Sequence, residues 1–214
     1  RYQKINAHHY RHIWVVGDIH GEYQLLQSRL HQLSFFPKID LLISVGDNID
    51  RGPESLDVLR LLNQPWFTSV KGNHEAMALE AFETGDGNMW LASGGDWFFD
   101  LNDSEQQEAI DLLLKFHHLP HIIEITNDNI KYAIAHADYP GSEYLFGKEI
   151  AESELLWPVD RVQKSLNGEL QQINGADYFI FGHMMFDNIQ TFANQIYIDT
   201  GSPNSGRLSF YKIK

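Results

Sequence analysis

Five short apolar runs in this chain each end in a polar turn carrying an aspartate, histidine or asparagine, and that recurrence limits the folds open to it. Ile13 to Val16 leads into Gly17-Asp18-Ile19-His20-Gly21, and Leu41 to Val45 leads into Gly46-Asp47-Asn48-Ile49-Asp50-Arg51-Gly52-Pro53. Trp66 to Val70 leads into Lys71-Gly72-Asn73-His74-Glu75. Each of these three reads as strand, glycine turn, helix, the repeating unit of an α/β sheet. Further on, Tyr132 to Ala135 runs into His136-Ala137-Asp138, and Tyr178 to Phe181 runs into Gly182-His183. Sheets of this kind bind ligands beyond the carboxyl ends of their strands. A lone histidine there is more often a core or turn residue, but several at one topological position point to a metal site on rigid elements.

Composition narrows the classes of partner. With 214 residues, 43% hydrophobic and 13% aromatic, the chain can bury a substantial core and is expected to form one domain over 1–214. A net charge of -13 argues against nucleic acid and anionic membranes as partners. An acidic protein still binds phosphate where bound divalent cations reverse the local field. The absence of cysteine excludes disulfides, thiolate metal sites and cysteine nucleophiles, which fits a cytoplasmic location. The first residues lack an apolar stretch of signal-peptide length, and no run approaches a membrane span.

Between the motifs, Tyr23 to Leu33 and Glu54 to Leu62 have helical periodicity, and Glu75 to Phe82 reads as a third helix that starts directly at the asparagine and histidine loop. Arg1 to His12 reads as a polar lead-in. Gly85 to Leu101, where glycines alternate with Trp90, Trp97, Phe98 and Phe99, reads as a small helical cap packed on the core. Asn127-Asp128-Asn129 marks a hairpin. The segments Asn188 to Ala193, Gln195 to Asp199 and Arg207 to Lys212 read as a closing antiparallel meander. His117, His118 and His121 lack strand-end placement and are expected to be structural or exposed.

Asp18, His20, Asp47, Asn73, His136 and His183 together offer carboxylate, amide and imidazole ligands, which suit Mn, Fe, Zn or Co better than Ca or copper. Six ligands exceed the needs of one open catalytic ion. Two ions sharing a carboxylate would form the clamp used for in-line displacement at phosphorus, with a bridging water as nucleophile.

The three signatures Gly17-Asp18-Ile19-His20-Gly21, Gly46-Asp47-Asn48-Ile49-Asp50-Arg51-Gly52 and Gly72-Asn73-His74-Glu75 resemble, in order and spacing, those of the PPP-type metallophosphoesterases. His136-Ala137-Asp138-Tyr139-Pro140 and Tyr197-Ile198-Asp199-Thr200-Gly201 make the chain similar to the compact bacterial and phage branch of serine/threonine protein phosphatases. The resemblance implies an α/β fold, a calcineurin-like β-sandwich flanked by helices. It implies hydrolysis of phosphoserine, phosphothreonine and phosphotyrosine in proteins by direct attack of a metal-bridging water or hydroxide, without a phosphoenzyme. By the resemblance, Asp18, His20 and Asp47 hold one ion, and Asp47, Asn73, His136 and His183 hold the other. Mn²⁺ is the expected ion, with Fe or Zn as substitutes.

The same resemblance makes His74 the acid that protonates the leaving group, Asp50 its partner, and Arg51 the clamp on the phosphoryl oxygens. Lys71 stands where the family commonly has arginine, and Arg161 lies two residues beyond another family arginine position, so both are expected at the substrate. Phosphoproteins are the expected partners of a monomer. The alternative is a symmetrical dinucleoside tetraphosphatase or a phosphodiesterase on the same fold; the former has alanine where this chain has Asp50.

Overall fold

The computed structural model describes residues 1–214 and places them in two β-sheets stacked face to face, with helices on both outer faces. The strands are β1 (Tyr2–Asn6), β2 (Ile13–Val16), β3 (Leu41–Ser44), β4 (Phe67–Ser69), β5 (Ile122–Asn127), β6 (Ile130–Ile134), β7 (Tyr178–Phe181), β8 (Gln190–Phe192), β9 (Gln195–Tyr197) and β10 (Phe210–Lys212). One sheet has the order β10-β2-β3-β4, parallel through β2, β3 and β4. The other has the order β1-β5-β6-β7-β9-β8, with β6, β7 and β9 parallel. Helices α1 (Tyr23–Gln32), α2 (Ser55–Arg60) and α3 (Asn73–Thr84) follow β2, β3 and β4 in turn. They are joined by α4 (Asn88–Ala92), α5 (Asp103–Leu114), α6 (Ser153–Leu156), α7 (Asp160–Leu166) and α8 (Ser202–Ser205).

Strand alternation builds the layers. In β3, Leu41 and Ile43 face the space between the sheets, where Val15, Ile123, Ile134, Ile180 and Ile196 meet them. Leu42 points the other way, against Leu26 and Leu30 of α1 and Val58 of α2. A strand covered on both faces needs a continuous apolar run, which Leu-Leu-Ile supplies. Each such fully buried side chain contributes roughly 1.5–3 kcal/mol. No helix is long and apolar enough to cross a membrane.

Two expectations from the sequence are corrected. The lead-in contains β1, which pairs in parallel with β5 in the register Tyr2 to Ile122. It lies at the sheet edge, with only Tyr2 and Ile5 partly covered, so its residues look polar. The closing segments are also not one meander: β8 and β9 form a hairpin in one sheet, whereas β10 crosses to the other and pairs with β2. Ser202 ties the crossing to the first motif by donating its Oγ to the carbonyls of Asp18 and Ile19, each at 2.9 Å. The hairpin at Asp128 and Asn129 forms as expected, both residues taking the positive φ of a primed two-residue turn.

Candidate active site

The loops after β2, β3, β4, β6 and β7 come together at one edge of the sandwich. Asp47 lies at the centre. Its Oδ1 is 3.4 Å from His136 Nε2 and accepts the backbone amide of His74 at 3.0 Å; its Oδ2 is 3.8 Å from both His20 Nε2 and His74 Nε2. Asn73 Oδ1 lies 2.7 Å from His136 Nε2 and 3.0 Å from His183 Nδ1. Asn73 and His74 open α3, so the positive end of that helix faces the Asp47 carboxylate. The ligand atoms form two overlapping groups, His20 with Asp47 and His74, and Asp47 with His136 and His183. Asp18 reaches the second group by accepting the backbone N–H of His183 at 3.2 and 3.1 Å.

Local backbone conformations are chosen for aim rather than ease. His20, Asp47, Asp50, Arg51 and His183 all have positive φ, which costs a residue with a Cβ about 1 kcal/mol or more and persists only where the surroundings hold it. The approach of neighbouring loops is equally demanding. A Cβ on Gly72 would run into the backbone nitrogen and Oδ1 of Asp47, and one on Gly182 into the carboxylate of Asp18.

The donor set fits divalent ions. His20 directs Nδ1 to the carbonyl of Ile49 at 2.8 Å, and His136 directs Nδ1 to that of Val45 at 2.7 Å. A carbonyl only accepts, so both Nδ1 atoms carry a proton and each Nε2 is turned to the cluster, the orientation found in metal-bound imidazoles. Burial pushes His20 and His183 down to about 4, so both are neutral at pH 7. Burial alone would raise Asp47, but the imidazoles of His136, His74 and His20 outweigh it and hold the carboxylate well below its usual range. Asp18 is pushed well above its range by burial and by the charges of Asp199 and Asp47. Buried carboxylates crowded in this way are a natural seat for cations.

Beside the cluster, His74 Nδ1 lies 2.7 Å from Asp50 Oδ2, so the ring holds its proton against the carboxylate and turns Nε2 toward Asp47. Burial lowers the His74 pKa, but Asp47 and Asp50 outweigh it and the net shift is upward. Arg51, exposed at the mouth, directs Nη1 to His20 Nε2 and Nη2 to His74 Nε2, each at 3.2 Å. The arrangement can hold cations, clamp an anion and deliver a proton within one small volume.

Lys71 and Arg161 are not brought to this cluster. Lys71 Nζ bonds Glu152 at 2.9 Å. Arg161 donates Nε to Asp138 at 2.8 Å and Nη2 to the carbonyls of Tyr139 and Gly141 at 2.9 and 2.7 Å. The structure also gives roles to residues for which the sequence suggested none. Glu75 accepts the backbone amides of Asp47, Asn48 and Gly72. Trp90 and Trp97, from the cap, donate their indole N–H groups to Asp50. Their aromatic spacing looks like core, and a long-range partner leaves no local signal. His117 and His121 pair with Glu83 and Glu152 away from the cluster.

A two-sheet sandwich that gathers nitrogen and oxygen ligands at its strand ends defines a site of the metallohydrolase class. The calcineurin-like phosphoesterase family model matches residues 11–186, and the chain belongs to that family. It is 61% identical to serine/threonine-protein phosphatase 2 of Salmonella typhimurium over 214 residues, covering 100% of this chain and 98% of that protein. It is 44% identical to serine/threonine-protein phosphatase 1 of the same organism, covering 100% and 97%. A symmetrical bis(5'-nucleosyl)-tetraphosphatase of Erwinia tasmaniensis is 32% identical over 126 residues, covering 58% of this chain and 43% of that protein.

Solved structures share the fold. One, assigned only provisionally as a diadenosine tetraphosphatase, superposes with a TM-score of 0.68 at 23% identity, covering 99% of this chain and 93% of that chain. A protein serine/threonine phosphatase from Saccharomyces cerevisiae does so with a TM-score of 0.61 at 19% identity, covering 92% and 70%.

Proposed function

We propose that this chain hydrolyses phosphoserine, phosphothreonine and phosphotyrosine in proteins by direct in-line displacement, without a phosphoenzyme. The observation that carries the reading is the His74–Asp50 pair beside the Asp47 cluster, because alkyl phosphates need protonation of a poor leaving group. The full-length likeness to two serine/threonine protein phosphatases supports the same class of substrate.

In this reading Asp18, His20 and Asp47 hold one divalent ion and Asp47, Asn73, His136 and His183 hold a second, with Mn²⁺ as the activating ion. When bound, the two ions supply the positive charge that the phosphoryl group and the attacking water require. Arg51 binds the phosphoryl oxygens at the mouth and in doing so turns its Nη2 away from His74 Nε2, which then carries the proton. As the oxygen of the attacking water bonds to phosphorus and its proton passes to solvent, the ester P–O bond breaks and its electron pair stays on the leaving oxygen, which takes the proton from His74 Nε2. Asp50 holds the ring through Nδ1 while that proton leaves. Lys71 and Arg161 hold the surrounding loops rather than the phosphate.

The reading also makes the protein a cytoplasmic monomer of one domain, with no nucleic acid or membrane partner; the net charge of -13 supports the last of these, because it repels polyanions and anionic lipid. The competing reading, a dinucleoside tetraphosphatase, draws on the partial match to such enzymes. Metal-free protein titrated with Mn²⁺ and assayed on a phosphoseryl peptide, p-nitrophenyl phosphate and diadenosine tetraphosphate separates the two. Mn²⁺-dependent turnover of the first two and little of the third is expected; preference for the dinucleotide would overturn the proposal.

A further inference from the structure

We propose that Trp90 and Trp97 are positioning residues for proton delivery, fixing the Asp50 carboxylate so that it aims His74. The inference rests on the reading of His74 as the acid.

Asp50 is fully buried, and its oxygens are surrounded by donors from three directions. Trp90 Nε1 lies 3.0 Å from Oδ1 and 3.1 Å from Oδ2, Trp97 Nε1 lies 2.7 Å from Oδ1, and His74 Nδ1 lies 2.7 Å from Oδ2. The Asp50 backbone has φ of +73°, a conformation that does not hold itself. A buried indole N–H needs only one acceptor, and any carbonyl would serve. Here two indoles converge on one carboxylate that is already bonded to a histidine of the site.

The seat of the indoles is itself built. Trp90 and Trp97 pack edge to face, with ring centres 6.3 Å apart. The Trp90 ring lies so close to Gly95 that a Cβ there would meet its Cε2 at 2.6 Å. The same segment reaches the neighbouring residue as well, because the Arg51 backbone N–H donates to the carbonyl of Gly94 at 3.3 Å. The cap therefore holds both Asp50 and Arg51 from behind. With its oxygens pinned, the carboxylate leaves one direction for His74 Nδ1. Rotation of the ring is then blocked, and Nε2 stays on the side of Asp47. Near-attack placement of a proton donor is lost with small displacements, so loosening Asp50 weakens the acid without touching the ligands of the cluster.

The test compares Trp97→Phe, Trp90→Phe, the double variant, His74→Asn and Phe98→Leu on a phosphoseryl peptide and on p-nitrophenyl phosphate. Phenylalanine keeps most of the ring and removes the donor. Each single tryptophan variant is expected to lower kcat on the phosphoseryl peptide about tenfold and on p-nitrophenyl phosphate less than about threefold, with KM unchanged. The double variant should approach the selectivity of His74→Asn. Phe98→Leu, which disturbs the same packing without removing a donor, should affect both substrates alike. Should a tryptophan variant fail to fold, Asp50→Asn in the otherwise intact chain must shift the indole N–H resonances of both tryptophans in a ¹H–¹⁵N spectrum; unmoved resonances would overturn the proposal. Equal losses on both substrates in the tryptophan variants, with His74→Asn selective, would overturn the positioning role alone. Equal losses in His74→Asn itself would overturn the acid reading beneath it.

Discussion

The Glu75 carboxylate accepts the backbone amide of Asp47 at 3.0 Å, and so joins the start of α3 to the loop that carries the central ligand. It also takes the amides of Asn48 at 2.6 Å and Gly72 at 2.8 Å and the Asn48 side chain at 3.2 Å. All four partners donate, so every position around the two oxygens calls for an acceptor. Glu75→Gln puts an NH₂ group against two of those donors. A loss of about 1–3 kcal/mol in stability and weaker Mn²⁺ binding are expected, read by urea unfolding and metal titration. Unchanged metal affinity would mean that the joint between the loops does not set the ligand geometry.

Two glycines offer a matched comparison. Gly72→Ala drives a methyl group into the backbone and carboxylate of Asp47, whereas Gly141, at φ of +84°, faces open space. Gly141→Ala should cost about 1 kcal/mol and leave turnover intact. Gly72→Ala should abolish turnover in whatever protein folds. Thermal unfolding with kcat on p-nitrophenyl phosphate checks both.

Glu152 links stability to pH. Its hydrogen bond to His121 and its ion pair with Lys71 lower its pKa from 4.5 to about 2. A carboxylate depressed in the folded state adds stability that is present above the unfolded value and disappears as pH falls through the folded one. Glu152→Gln should therefore be less stable than wild type at pH 7, with the gap closing between pH 4.5 and about 2. Because Glu152 is partly exposed, salt should narrow the gap as well. Urea midpoints measured across that range would show it; a gap independent of pH would contradict the assignment.

Arg161 separates packing from substrate binding. Its guanidinium is buried against Asp138 and two carbonyls, and its removal leaves a buried carboxylate without its partner. Arg161→Ala should cost about 3 kcal/mol of stability. KM for phosphomonoesters should stay near the wild-type value in the folded fraction. A large rise in KM at unchanged stability would return Arg161 to the substrate.

Much of the centre was legible because its signals are local. Asp18, His20, Asp47, Asn73, His136 and His183 each stand within four residues of an apolar strand, and the glycines beside them mark turns that only a close approach requires. What stayed hidden depends on partners far along the chain. The charge on Lys71 and Arg161 was visible, but Glu152 and Asp138, which hold them, could not be paired with them from spacing. Edge placement disguised β1, and the crossing of β10 depends on the contact of Ser202 with the first motif. Trp90 and Trp97 read as apolar packing because the acceptor for their N–H groups lies some forty residues earlier.

Asp47 is the residue on which both ligand groups depend, so its replacement tests the centre most directly. Wild-type protein and Asp47→Asn, both stripped of metal and dialysed against Mn²⁺, would be analysed for bound ions per chain and for hydrolysis of a phosphoseryl peptide. Two ions in the wild type, fewer in the variant, and loss of hydrolysis with the lost metal are expected. A variant that keeps two ions and normal turnover, or a wild type fully active with none, would contradict a catalytic centre built around Asp47.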